Sequence, residues 1–359
     1  MQVVMPEIDG RITTRPSAFK EKDKLNQYLA TSIKTLKAEK PLINWSIDHI
    51  KNWINLKNCN NFNKKITILL ANYPIKNSRL ANGVGLDTPE SLFKLLYLLK
   101  DKGYDLGKDS LPLNSKELIN TILAGRTNDP ESLYKDPLTY IELKDYIKYW
   151  NTIDLKAKKL ITKRWNEPEE SIELEDNKFA IHGLIYGKVA ILIQPSRGYN
   201  SNDLKDIHSP DLPPPHRYIA QYLWIENFFK SSAIIHLGKH GSVEWLPGKG
   251  IGLSESCFPH ISLPNLPNIY PFIVNDPGEG SQAKRRTQAL IIDHLTPPLG
   301  RSGLYGNMSQ LESLLEEYYN SKILLSKRTK ILKERILKIF EQEDYLFSHS
   351  FADLKKIND

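Results

Sequence analysis

SSAIIHLGKHGSVEWLPGKG, residues 231–250, admits two readings, and the choice between them decides the fold. His236, His240 and Glu244 recur every four residues, the spacing that places side chains on one face of a helix. Gly238, Gly241 and Pro247 oppose that reading, because each glycine costs about 1 kcal/mol and proline about 3 kcal/mol in a helix interior. The stretch therefore reads as a short buried strand, SSAIIHL, that runs into a glycine-rich loop. Open α/β sheets place their ligands in such loops, at the carboxyl ends of parallel strands.

Neighbouring segments extend the pattern. KKITILLANYP (64–74) and GKVAILIQP (187–195) are short apolar runs that end in turn residues, the signature of buried strands. RYIAQYLWIENFFK (217–230) has amphipathic helical spacing, so strand, helix and strand follow in the order of a right-handed parallel crossover. After KKITILLANYP comes the polar loop IKNSRLANGVGLD (75–87). Thr88 as N-cap and Pro89 at the first helical position then open a helix that Gly103 closes. PFIVNDPGEGSQAKRR (271–286) supplies another strand. Its loop carries Asn275, Asp276 and Glu279, and Lys284, Arg285 and Arg286 are expected in the first turns of the next helix. The fold class is α/β, with parallel or mixed sheet layers flanked by helices and a helical C-terminal segment.

Four segments follow from this pass. Residues 1–64 read as an N-terminal strand, MQVVMPEIDGRITTRP, then a helical stretch with apolar spacing through Leu25, Leu29, Ile33 and Leu36. A strand with no preceding partner reads as the continuation of a longer chain. Residues 65–178 form an α/β plus helical lobe, closed by the acidic loop NEPEESIELEDNK (166–178). Residues 179–307 form an α/β core that carries the candidate loops, and residues 308–359 form a helical segment without an evident cap.

Composition narrows the function classes. The chain has 359 residues, 40% hydrophobic and 25% charged, as expected of a soluble globular protein. A net charge of +7 favours acidic partners, whether nucleic acid, an anionic membrane or a polycarboxylate ligand, and reads equally as a lysine-rich solvated surface; no aromatic-interleaved basic face supports nucleic acid. No apolar run reaches the roughly 20 residues of a membrane span. Cys59 and Cys257 stand in no metal-ribbon or CxxC spacing, which fits a reducing, cytoplasmic setting.

In the loop after residue 236, two imidazoles and a carboxylate would suit a borderline divalent metal such as Zn²⁺, Co²⁺ or Ni²⁺. The opposing reading is a glycine-rich loop in which the histidines serve as ordinary hydrogen-bonding groups. A phosphate loop is disfavoured, because Gly241 and Gly248 are too widely spaced and Gly250 replaces the hydroxyl that would hold Mg²⁺. The cations at 284–286 read either as carboxylate binders or as a surface charge run. Loops around Asn72, Arg197, His236 and Asp276 all follow strands, so one cleft at a sheet edge accounts for them together.

These loops resemble one family. HLGKHGSVEWLPGKGIGLSESCFP, LPNIYPFIVNDPGEGSQAKRR, IIDHLTPP and LANYPIKNSRLANGVGLDTPESL are similar to the cobaltochelatase and magnesium chelatase large-subunit family, and these long motifs lie in the family's order along the chain. NDPGEG at 275–280, with PSRGYN and PPPHRY, places the chain nearer the aerobic cobalt branch. The resemblance covers most of the chain, and family members are far longer. It implies insertion of Co²⁺, as substrate metal, into hydrogenobyrinic acid a,c-diamide during cobalamin synthesis. ATP and Mg²⁺ would then sit on partner subunits, an AAA+ ATPase and its companion chelatase subunit.

The resemblance also implies roles. His236, His240 and Glu244 are the expected metal ligands, with Glu244, His240 and Asp276 expected to handle protons or the reacting metal. Arg197, His216, Glu279, Lys284, Arg285 and Arg286 are expected to meet the corrin-type tetrapyrrole substrate, Glu279 doubling as a metal or proton group. The alternatives are a magnesium chelatase large subunit acting on protoporphyrin, and a tetrapyrrole-binding fragment without turnover.

Overall fold

The structure is a computed structural model that describes residues 3–21, 25–26, 28, 30–32, 35–72, 75–77, 80–81, 83, 85–198, 209–238, 241–274, 277–295, 311, 313–315, 317–318 and 328–342. Met1–Thr296 and Pro297–Asp359 form separate compact units.

A six-stranded sheet organises the first unit. Its strands are β1 (Ile66–Leu70), β2 (Gly183–Tyr186), β3 (Val189–Ile193), β4 (Ala233–Leu237), β5 (Asn268–Ile273) and β6 (Leu290–His294). They lie in the order β6-β5-β4-β1-β3-β2. All neighbours are parallel except the β2–β3 hairpin. β1 is central, with Leu69 beside His236 on one flank and Leu192 on the other.

The central strands are buried at every position and largely apolar because both faces are covered, the condition that produces continuous rather than alternating apolar runs. Ile66, Ile68 and Leu70 pack with Leu92 and Leu96 of the Thr88–Asp101 helix and Leu118 of the Ser115–Ala124 helix. Leu69, Leu192 and Ile234 face the other way, toward Tyr218, Ile219 and Tyr222 of the His216–Leu223 helix. The result is a helix–sheet–helix sandwich. From β1 the chain goes on to β3 on one flank, and from β4 it goes on to β5 on the other. Their adjacent carboxyl ends therefore form the point where strand order reverses and a crevice opens.

Several expectations need correction. The opening residues form a helix, Val4–Ile8, instead of a strand. A run of four or five apolar residues does not distinguish one helical turn from a strand. The stretch with helical spacing at 25–36 holds two short antiparallel pairs, Leu25–Asn26 with Thr31–Ser32 and Ala18–Lys20 with Leu36–Ala38. Leu36 is exposed, so the supposed apolar stripe has no core to face there. Asp87, not Thr88, caps its helix, accepting the Glu90 N–H at 3.0 Å.

The lobe division expected at residue 178 falls inside shared architecture. β1 comes from the first segment and sits between strands of the second. Thr139–Glu142 pairs with Lys178–Ile181 across the same boundary in a three-stranded sheet. In the C-terminal unit the Arg328–Gln342 helix is present, with Leu332 and Ile336 buried one turn apart. Most of 308–320 lies outside the described residues.

Candidate functional site

The segment after β4 is indeed a loop. Gly238 sits at φ +115°, a conformation that L side chains rarely adopt, and an added Cβ would meet the Ala71 Cβ at 2.9 Å. Glycine thus lets the exits of β4 and β1 touch. The loop then tightens into a 3-10 turn at Val243–Trp245, which carries Glu244.

His236, the penultimate residue of β4, is buried. Its Nδ1 lies 2.8 Å from Asn268 Oδ1. The orientation of the Asn268 amide is set by its Nδ2, which donates to the Thr287 carbonyl at 3.1 Å. Oδ1 therefore faces the imidazole and accepts, so the ring proton resides on Nδ1. Burial holds the imidazole below its ordinary pKa, an effect that Glu244 and Asn268 offset only in part. The neutral ring leaves a lone pair on Nε2, and that atom is buried with no hydrogen-bond partner among the described residues.

Glu244 folds back over Gly241. A Cβ at Gly241 would lie 3.0 Å from Glu244 Oε2 and 3.4 Å from His236 Cδ2, so only glycine lets the carboxylate and imidazole share this space. Tyr270 on β5 donates its hydroxyl to Glu244 Oε1 at 2.9 Å and accepts the Gly241 N–H. Burial, then the Glu244 charge, pushes the Tyr270 phenol far above its usual range, so it stays a donor to the carboxylate. Beneath the loop, Ser242 Oγ lies 2.8 Å from the Tyr218 hydroxyl, and Gln194 Nε2 donates to Tyr218 and Tyr222 at 3.1 and 2.9 Å. The site is thus a buried imidazole lone pair and a carboxylate, each oriented by a neighbour on β5.

The other expected residues are distributed as follows. His240 and Asp276 lie outside the described residues. Lys284, Arg285 and Arg286 occupy the last turn of the Pro277–Thr287 helix, not its first turns, because the helix starts at Pro277. There they complement the helix dipole at its carboxyl end. Lys284 Nζ donates to the Glu7 carbonyl, and Arg285 forms a two-pronged ion pair with Glu7 at 2.6 and 2.8 Å. Arg286 is buried and donates to the Leu246 carbonyl, which anchors the end of the Glu244 turn. Glu279 stands in the first turn of that helix. Arg197 donates to the Ser209 and Leu212 carbonyls, and His216 is enclosed with Nδ1 at Tyr146 and Nε2 at the Asn166 carbonyl. Of the expected set, the structure brings His236 and Glu244 together, with Arg286 behind them.

Sequence reasoning missed Asn268 and Tyr270. The available signal was an asparagine and a tyrosine at alternate positions of the apolar strand NIYPFI, where a period of two puts both on one face. Among the described residues no group of three or more His, Cys, Asp or Glu gathers for a metal. Among them too, no helix is long and apolar enough to cross a membrane.

Comparison with known proteins adds context to this geometry. A family model described as CobN/Magnesium Chelatase matches residues 1–355. The chain is 42% identical over 338 residues to a protein named aerobic cobaltochelatase subunit CobN of Pseudomonas aeruginosa, covering 94% of this chain and 27% of that protein. It is 29% identical over 322 residues to the chloroplastic magnesium-chelatase subunit ChlH of Oryza sativa subsp. indica, covering 90% of this chain and 22% of that one. A solved structure titled catalytic subunit of cobaltochelatase from Mycobacterium tuberculosis superposes with a TM-score of 0.73 at 33% identity, over 98% of this chain and 30% of that chain. The chain spans about a quarter of the length of the curated relatives it matches.

Proposed function

This chain belongs to the CobN/magnesium chelatase family, and from that premise we propose that it is the metal- and tetrapyrrole-handling part of an aerobic cobaltochelatase large subunit. Its reaction is the insertion of Co²⁺ into hydrogenobyrinic acid a,c-diamide, in the cytoplasm, with ATP and Mg²⁺ used on an AAA+ partner and its companion subunit. The observation that carries the reading is the pair at the β4 exit: His236 Nε2, which has no hydrogen-bond partner among the described residues, beside the Glu244 carboxylate.

The chemistry asked of these groups is modest. Incoming Co²⁺ sheds water and meets an imidazole that is already neutral and already in the right tautomer, so no proton has to leave first. The Glu244 carboxylate neutralises part of the ion's charge and is positioned to accept a pyrrole N–H proton as the metal enters the ring. Tyr270 keeps that carboxylate oriented. His240 completes the metal set and Asp276 assists in proton handling. Arg197, His216, Glu279 and Lys284 to Arg286 serve the substrate side, several of them by holding the walls.

Magnesium chelation is the second reading. It is the weaker one, because the relative named for cobalt is 42% identical and the one named for magnesium 29%. A buried imidazole lone pair also suits Co²⁺, whereas Mg²⁺ prefers oxygen ligands and keeps its water. Cobalt insertion by the complex reconstituted with partner subunits tests the proposal. Glu244→Gln is expected to slow insertion by about 100-fold or more, the scale of a lost acid–base group. Unchanged insertion would remove Glu244 as proton acceptor. Turnover absent even from the unsubstituted chain, with tetrapyrrole still bound, would favour a binding fragment.

A further inference from the structure

A second polar constellation lies apart from the β4 exit. A cleft of about 240 Å³ opens beside Ser196 and Gly198, which follow β3, and Ile75, which follows β1. It is thus on the same carboxyl-end side of the sheet as His236. Its inner wall is a set of buried polar side chains. Arg217 spreads its guanidinium over His182 Nδ1 at 3.3 Å, Asn128 Oδ1 at 3.1 Å and Glu173 Oε1 at 3.1 Å. Asn128 is fixed in turn by donating to the Gln194 carbonyl at 2.7 Å, the residue that follows β3.

The charge account of this wall is balanced. Arg217 is matched by Glu173, and Arg126 by Glu175 at 2.6 Å. Both glutamates line the cleft. His182 adds no charge, because burial together with Arg217 and Arg126 holds its imidazole well below its ordinary pKa. Among the described residues that line the cleft, an incoming carboxylate would meet two carboxylates and no spare cation, an arrangement that disfavours it. A neutral group with both a donor and an acceptor fits instead, since the wall offers guanidinium N–H donors and carboxylate acceptors. The volume is below that of a pocket for a whole drug-sized ligand, so a side arm fits and a macrocycle does not.

We propose that this cleft receives a primary carboxamide side arm of the bound tetrapyrrole and rejects a free carboxylate there, which makes Asn128, Glu173, His182 and Arg217 specificity-determining residues. The proposal rests on the tetrapyrrole reading above. It explains a wall of paired ions where a wall of unpaired cations would serve a polycarboxylate better.

The test is equilibrium titration of the full chain, read by tryptophan fluorescence, with hydrogenobyrinic acid a,c-diamide and with the unamidated acid. The unsubstituted chain is expected to bind the diamide about tenfold or more tightly than the acid, the scale of one like-charge juxtaposition. Glu173→Gln keeps the shape, frees the Arg217 charge and removes a carboxylate acceptor, so it is expected to tighten the acid and to weaken the diamide, narrowing or reversing the preference. Leu133→Trp, at the exposed rim, is expected to weaken the diamide with no change in thermal midpoint. Equal binding of both tetrapyrroles, or variants indistinguishable from the unsubstituted chain, would overturn the carboxamide subsite while leaving the chelatase reading intact. If neither compound bound, the chelatase reading would fall and the subsite with it. Should Glu173→Gln not fold, Leu133→Trp decides alone.

Discussion

Asn268→Leu isolates the part of the site that orients the imidazole. Asn268 does two things at once: it accepts from His236 Nδ1 at 2.8 Å and donates to the Thr287 carbonyl at 3.1 Å. Leucine of similar volume removes both and leaves a buried donor and a buried acceptor unpaired. Each such group costs about 1–3 kcal/mol, so the expected loss is about 2–6 kcal/mol before a small return from the apolar side chain. For a unit this large that corresponds to a melting point lower by about 3–10 °C. The metal effect is separate. With Nδ1 released, the proton can move to Nε2 and the lone pair turns away, a loss of about 10–100-fold in Co²⁺ affinity. Co²⁺ titration followed in the visible absorption of the bound ion, together with thermal melts, reads both. Asn268→Asp separates the two effects, because a carboxylate still accepts from Nδ1 but cannot donate to Thr287. It is expected to lose stability and keep Co²⁺ affinity. Should Asn268→Leu bind Co²⁺ as the unsubstituted chain does while His236→Ala is impaired, the tautomer argument is refuted. If His236→Ala also bound normally, His236 would be no ligand.

Further outcomes follow from the same geometry. Tyr270→Phe removes the donor to Glu244 and the acceptor for Gly241 N–H, with an expected cost of about 2–5 kcal/mol in denaturant unfolding. Gly238→Ala must place a methyl 2.9 Å from Ala71 Cβ at φ +115°, for an expected loss of about 1–3 kcal/mol and weaker Co²⁺ binding. His260 has its pKa lowered to about 4 by burial and by Arg15, so the unfolded chain takes up a proton below pH 6.5 that the folded chain refuses. Stability should therefore fall as pH drops from 6.5 toward 4, by about 3 kcal/mol from this residue, and His260→Gln should flatten that slope in pH-dependent melts.

The sheet was largely legible in advance because buried parallel strands announce themselves locally. KKITILLANYP, GKVAILIQP and SSAIIHL each carry a short, largely apolar run, and they became three adjacent strands covered on both faces. The N-terminal segment was not legible, since the apolar spacing there has no core to meet and Leu36 stays exposed. For the site, His236 and Glu244 could be named from a loop at a strand end. Asn268 and Tyr270 could not, because nothing local says that their strand pairs with β4. The cations at 284–286 show the same limit: nothing local to the charge run says that folding delivers Glu7, from almost the far end of the chain, to Arg285.

By itself the sequence determined where the central strands of the α/β core fall, and that no α-helix carries His236 and Glu244 on one face, since glycine, proline and apolar runs act through the backbone of their own neighbourhood. Only the tertiary structure decided strand order, the tautomer of His236, the partner of Glu244 and the balanced ion pairs around Arg217. Those depend on which buried polar atoms meet across distant segments, and a buried donor or acceptor is satisfied by whatever the packing brings to it, at any separation along the chain.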